Sequence, residues 1–238
     1  LSRYMQHDFA GRFGRGGVVM PVPVDTDRFR LCTDRDHERP AILCAAALDD
    51  ERKGGALLMR AFSRLKEARP QTVLQLSCNL SDRAREELIR HVPTRWREDV
   101  HFLGAGRLDD LPEHFGRAAV SVLPSLWEAF GMVILESMAC GTPVVGTRDG
   151  AIPELISKPD VGRLFDPGPT STAQPSNVEG LAQALLEALD LSRRPETAHR
   201  CRAHAERFSW ANVGPRFEEL YEDLIRRRRA QRGGNASP

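Results

Sequence analysis

Val120-Ser121-Val122-Leu123-Pro124-Ser125-Leu126-Trp127-Glu128-Ala129-Phe130-Gly131-Met132-Val133-Ile134-Leu135-Glu136-Ser137-Met138-Ala139-Cys140-Gly141-Thr142-Pro143-Val144-Val145 is the stretch that decides the fold. It opens on an apolar run at Val120–Leu123 and breaks at Pro124-Ser125. A helix-length apolar segment follows, starting near Phe130-Gly131, and a second short run begins at Pro143. Two buried strands joined by a helix must run parallel, because a parallel crossover needs a return of helix length. The same alternation extends outward. Val18–Val24, Ala41–Leu48, Val73–Leu76 and Val100–Leu103 read as further strands. Leu57, Leu58, Ala61, Phe62 and Leu65 share one helical face, and Val178, Leu181, Ala182, Leu185, Leu186 and Leu189 another. The pattern predicts an α/β fold, a Rossmann-like doubly wound parallel sheet with helices on both faces. Extra C-terminal helices follow, the second striped by Val213, Phe217, Leu220, Tyr221, Leu224 and Ile225.

Composition sets the outer bounds. The 238 residues carry 34 basic and 33 acidic side chains, a formal charge of +1, which speaks against a phosphate-tracking nucleic-acid binder. No apolar run approaches the ~18 residues of a membrane-spanning helix, and the start Leu1-Ser2-Arg3-Tyr4 is unlike a signal peptide. The expectation is a cytoplasmic protein without an integral membrane segment. Cys32, Cys44, Cys78, Cys140 and Cys201 include no C-x-x-C pair, so reduced thiols are expected. Only Lys53, Lys66 and Lys158 are lysines, the other 31 cations being arginine. Residues 1–17, polar and glycine-rich, read as a linker or the remnant of a missing N-terminal domain. A donor domain is expected over 18–192, C-terminal helices packing on it over 193–229, and a disordered tail over 230–238.

Ligands of open α/β sheets bind beyond the carboxyl ends of the strands, which directs attention to the junction after Leu123. Glu136 interrupts an apolar helix and needs a polar partner. The helix start near Phe130-Gly131 offers unpaired amides and a positive dipole end, a site for phosphate. From there Glu136 is six residues on, or ~9 Å of helix rise, so a diphosphate at the tip presents its ribose toward Glu136 while Glu128 flanks the other side. A solvated loop glutamate plus a second carboxylate held by neighbouring amides is the alternative reading of the same residues.

Glu128 and Glu136 form an E-x7-E pair that resembles the signature of retaining GT-B-fold glycosyltransferases, especially family four. The flanking segments are similar too: Val22–Phe29, Glu51-Arg52-Lys53-Gly54, Val100–Gly104 with Asp109–Pro112, Asp149–Ile156 and Gly162–Phe165. The resemblance implies the C-terminal, nucleotide-sugar half of a two-domain enzyme. A glycan, lipid or small-molecule acceptor would sit on the N-terminal half, which could also bring the protein to a membrane surface. It implies Glu136 on the ribose, Glu128 on the donor sugar and Lys53 on the leaving diphosphate. Ser125, Ala129, Phe130, Gly131 and Met132 would line the donor. Arg52 and Arg107 are candidates for added positive charge, Arg52 also reading as an ordinary surface arginine. No metal and no cofactor besides the nucleotide diphosphate sugar is implied. The half alone would bind nucleotide without turning over.

In one place the chain departs from the pattern. Ala46-Ala47 stands where the family usually carries Gly-Arg, and alanine cannot replace a guanidinium fork on phosphate. A non-catalytic nucleotide-sugar-binding module is therefore the main alternative, and a sugar-nucleotide epimerase a weaker one. Asp25-Thr26-Asp27 and Asp34-Arg35-Asp36 are D-x-D triplets read as loop acids. His199, Cys201 and His204 read as residues of a solvated helix.

Overall fold

The computed structural model describes residues 1–104, 108–169 and 175–234. Six strands, β1 (Ala41–Cys44), β2 (Val73–Leu76), β3 (Val100–Phe102), β4 (Val120–Leu123), β5 (Val144–Thr147) and β6 (Gly162–Phe165), form one sheet in the order β3-β2-β1-β4-β5-β6. Every pairing is parallel. The chain winds outward from β1 to one edge, returns to β4 beside β1, and winds to the other edge. The reversal of direction lies between β1 and β4, and the ligand rule for doubly wound sheets points to the strand ends on either side of it.

The helices are α1 (Arg3–Phe13), α2 (Gly55–Ala68), α3 (Asp82–Ile89), α4 (Leu111–Arg117), α5 (Met132–Ala139), α6 (Ile152–Leu155), α7 (Val178–Ser192), α8 (Thr197–Glu206) and α9 (Trp210–Gly234). The predicted face of α2 is fully buried, from Leu57 to Leu65. It packs against α7, whose Leu181, Leu185 and Leu189 are buried in turn, and α5 packs against α8. Burying a large apolar side chain stabilises by roughly 1.5–3 kcal/mol, so these stripes fix the layers.

At the far end of α2 a charge is buried. The Lys66 side chain is 1% exposed and its Nζ lies 2.8 Å from Asp99 Oδ2, just before β3. The ammonium also donates to the carbonyls of Pro70 and Thr72. Its three donors are thus all engaged, which makes burial of the ion tolerable.

Several sequence expectations are corrected. Residues 1–17 are not loop throughout: Arg3–Phe13 is α1. Its Ser2 cap accepts from the Met5 amide, Gly14 closes it with φ +63°, and the Glu154 carboxylate accepts from the Arg3 and Tyr4 amides. Capping at both ends overrides the unfavourable composition. Val18–Val24 is not a strand; Pro21 and Pro23 lack the amide donor, and only Val24 pairs, by one parallel bridge to Ser209. Val73–Leu76 and Val120–Leu123 stand as expected, the ends of β1, β3 and β5 shift by one to four residues, and β6 was missed because Gly162-Arg163-Leu164-Phe165 is a four-residue edge strand with a charge in it.

The solvated reading of α8 holds for His199, which is exposed, and fails for Cys201 and His204. Ala198, Cys201, His204 and Ala205 are buried on α8, and the His204 ring meets the Leu155 carbonyl at 2.8 Å. Burial pushes its pKa below the usual histidine value, the Leu155 bond partly opposing. The 193–229 segment packs only in part. Val213 is buried, but Tyr221, Leu224 and Ile225 are half or more exposed, since α8 already covers α5. The helix continues to Gly234, so residues 230–234 are helical and not a disordered tail. Among the described residues no helix is long and apolar enough to cross a membrane.

Candidate functional site

Lys53 ends a 3-10 turn (Glu51–Lys53) on the connection that leaves β1. Asp50 starts the turn by accepting from the Arg52 amide, and Gly54, at φ +71°, closes it. A side chain on Gly54 would stand 2.6 Å from the Pro124 carbonyl, so glycine is what lets this turn press against the loop after β4. The Leu126 amide donates to the Arg52 carbonyl at 2.8 Å, tying the two loops together. The Arg52 guanidinium is held by Asp50 (Nη2 to Oδ2, 2.6 Å) and is half-exposed. It lies close enough to Glu128 to feel that carboxylate's charge.

A third loop joins from β5. Trp127 adopts φ +54°, a conformation of real cost for a bulky residue, and its amide donates to Asp149 Oδ2 at 2.5 Å. The Ala151 amide donates to the Glu128 carbonyl at 2.9 Å. Gly150 leaves no room for a side chain, because a Cβ there would lie 2.6 and 2.7 Å from the backbone O and N of Glu128. The connections after β1 and β5 thus both close on the loop after β4, the first at Leu126 and the second at the backbone of Glu128.

From that position the Glu128 carboxylate reaches Lys53: Nζ to Oε2 is 2.8 Å, with the side chains 25% and 17% exposed. The pair bridges the carboxyl ends of β1 and β4, the two strands at the winding reversal. Beside it lies the start of α5. Gly131 caps α5 at φ +94° without any side-chain cap, and a Cβ on it would meet the Glu128 Cγ at 3.5 Å. The glutamate side chain therefore runs past the positive end of α5.

The other candidates surround this arrangement. Met132 is the first residue of α5, and Phe130 anchors the loop in the core. The Ala129 carbonyl accepts from Ser2 Oγ at 2.7 Å, which joins α1 to the same loop. The Ser125 hydroxyl is fully buried with no hydrogen-bond partner, a cost of about 1–3 kcal/mol unless a ligand or water meets it. Glu136 lies half-buried on α5; burial raises its carboxyl above the usual value and the charge of Arg28 opposes this. Ala47 is exposed and Ala46 buried, neither bringing charge to the β1 side. Arg107 lies outside the described residues.

Sequence reasoning missed Trp127, Asp149 and the packing roles of Gly54 and Gly150. The segments that hold them were visible, but nothing in one sequence tells that an aspartate twenty-two residues on will hold the Trp127 amide. The D-x-D triplets have turn roles: Asp25 accepts from the Asp27 and Arg28 amides and Asp36 from those of Glu38 and Arg39. Among the described residues no three His, Cys, Asp or Glu side chains come together in a way that could hold a metal ion.

The winding order and the charged pair at its reversal define a doubly wound α/β domain with its site at the carboxyl edge of the sheet. The profile of the group 1 glycosyl transferases matches residues 39–191, and the chain belongs to that family. It is 33% identical over 213 residues to the MMP alpha-(1->4)-mannosyltransferase of Mycolicibacterium hassiacum, covering 88% of this chain and 49% of that protein. Over 242 residues it is 28% identical to the GDP-mannose-dependent alpha-(1-6)-phosphatidylinositol monomannoside mannosyltransferase of Mycolicibacterium smegmatis, covering 92% and 60%. The chain thus spans about half to three-fifths of the length of these relatives. Among solved structures, sucrose-phosphate synthase from Thermosynechococcus elongatus superposes with a TM-score of 0.76 at 24% identity, covering 94% of this chain and 57% of that one. Anabaena HepE, solved with UDP and glucose, gives 0.73 at 22%, covering 93% and 62%. These likenesses establish the GT-B type of fold.

Proposed function

We propose that this chain is the nucleotide-sugar half of a retaining, metal-independent glycosyltransferase, and that it binds the donor at the β1–β4 reversal. The observation that carries the reading is the Lys53–Glu128 pair at 2.8 Å beside the uncapped start of α5. A lysine and a helix N-terminus are two sources of positive potential within one loop cluster, suited to a diphosphate. Glu128 is placed to accept from sugar hydroxyls, and Glu136, whose burial calls for hydrogen-bond donors, from a ribose. One similar protein is named as GDP-mannose-dependent and another was solved with UDP and glucose, which supports the donor class. Retention and metal independence rest on the resemblance of the E-x7-E motif.

During transfer, Lys53 and the α5 amides would hold the departing diphosphate, offsetting charge as it develops on the leaving oxygen in a site of low hydration. The acceptor hydroxyl would come from the other half of the enzyme. The alanines at positions 46 and 47 favour a second reading, a binding module that no longer catalyses, which transfer by the full-length protein from any donor would exclude.

Thermal-shift titration of this chain with UDP-, GDP- and ADP-sugars tests donor binding, since a ligand of the folded state raises the melting temperature by mass action. With the responding nucleotide, Glu136→Ala is expected to weaken binding at least about tenfold, the loss of hydrogen bonds to a charged acceptor. Unchanged affinity would remove Glu136 from the site.

A further inference from the structure

In the unliganded chain the cation assigned to phosphate is already taken. Lys53 Nζ sits 2.8 Å from Glu128 Oε2, both side chains are largely shielded, and the Glu128 backbone is fixed by Ala151, Gly150 and the Trp127–Asp149 bond. Resting on the donor reading above, we propose that Glu128 is a selectivity residue that disfavours the bare nucleoside diphosphate relative to the nucleotide sugar.

A diphosphate arriving at Lys53 must share the ammonium with the carboxylate or displace it. Glu128 has little freedom to withdraw, because the Ala151 amide and the close approach of Gly150 hold its main chain, and a Cβ on Gly131 would lie 3.5 Å from its Cγ. A shielded carboxylate then faces an added negative charge with its own counter-ion diverted. Like charges brought together at low hydration repel strongly, and a shielded ion left without its partner is costly.

A hexose on the diphosphate changes that balance. Its hydroxyls donate to the carboxylate oxygens and replace the lost ammonium hydrogen bonds. The donor therefore finds both charges satisfied, while the product of transfer, which has lost the sugar, leaves Glu128 unmatched. One carboxylate thus favours the sugar-bearing ligand and speeds departure of the nucleotide left behind.

The test uses this chain and calorimetric titration with UDP and GDP and with UDP-glucose and GDP-mannose, on wild type, Glu128→Gln and Glu128→Ala. Glutamine keeps the shape and removes the charge. Both variants are expected to bind the responding nucleoside diphosphate at least about tenfold more tightly than wild type, and to lose most of the preference for the sugar-bearing form. Equal or weaker diphosphate binding by both variants, with melting temperatures like that of wild type, would overturn the proposal while leaving the donor reading in place. If neither wild type nor either variant binds any of the four ligands up to millimolar concentration, the donor reading itself fails and this inference with it.

Discussion

Replacing Lys53 by alanine is expected to lower the affinity of this chain for its nucleoside diphosphate by about 100-fold. A hydrogen bond to a charged group contributes about 1.5–3 kcal/mol, and tenfold in affinity corresponds to about 1.4 kcal/mol. The loss should lie at the upper end of that range, because Lys53→Ala also strands Glu128, 17% exposed, beside the incoming phosphates. The double variant Lys53→Ala/Glu128→Gln should therefore recover part of the loss. Isothermal titration of the four members of this cycle measures the coupling directly. Equal dissociation constants for wild type and Lys53→Ala would place the phosphate elsewhere.

The second large effect is on stability. Asp99→Ala removes the carboxylate paired with Lys66, whose ammonium is buried at the end of α2. Breaking such a pair from one side leaves an uncompensated charge and costs about 3 kcal/mol, which for a domain of this size lowers the melting temperature by about 6–12 °C. The Pro70 and Thr72 carbonyls hold the ammonium in the variant and set the lower end of that range.

The same pair sets a pH dependence. Burial pushes the Asp99 carboxyl up, but hydrogen bonds from Lys66 and Arg39 outweigh it, and its pKa lies below the ordinary 3.8. A group depressed on folding contributes its full stability above the unfolded value and loses it as pH falls through the folded one. Urea unfolding should therefore show a gap between wild type and Asp99→Ala that is constant above about pH 5 and narrows below about pH 4. A gap that does not change across that range would mean the carboxylate is not the source of the difference.

The sheet was legible because its central strands are largely buried on both faces and read as short, mostly apolar runs, broken only by Gln75 in β2 and Ser121 in β4. Val73–Leu76 and Val120–Leu123 needed no correction for that reason, and the faces of α2 and α7 followed from helical period. α1 was not legible, because what holds it is a carboxylate from residue 154 and caps at Ser2 and Gly14, not an apolar stripe. The two prolines at 21 and 23 silenced an apolar run that pattern alone reads as a strand.

In the site, Glu136 stood out as a charge in an apolar helix and Glu128 as a carboxylate on the loop before it, while Lys53 was singled out by the family resemblance. Their relation did not stand out. Lys53 and Glu128 are 75 residues apart in the chain, and they meet because parallel winding sets β1 beside β4 and because Gly54 lets one turn lie against the next. Trp127 and Asp149 were beyond reach for the same reason: a strained backbone held by a distant side chain leaves no periodic trace in the sequence.

The central claim is that a nucleoside diphosphate docks between Lys53 and the start of α5. The most direct measurement is the shift of backbone amide resonances as UDP, GDP or ADP is added to isotopically labelled chain. The account predicts that the largest shifts cluster at Lys53, Glu128 and Phe130–Met132 and saturate with one dissociation constant. Shifts centred instead on the cavity of about 390 Å³ at the opposite edge of the sheet, lined by Asp36, Arg39, His101 and Arg117, with the Phe130–Met132 amides unmoved, would contradict it.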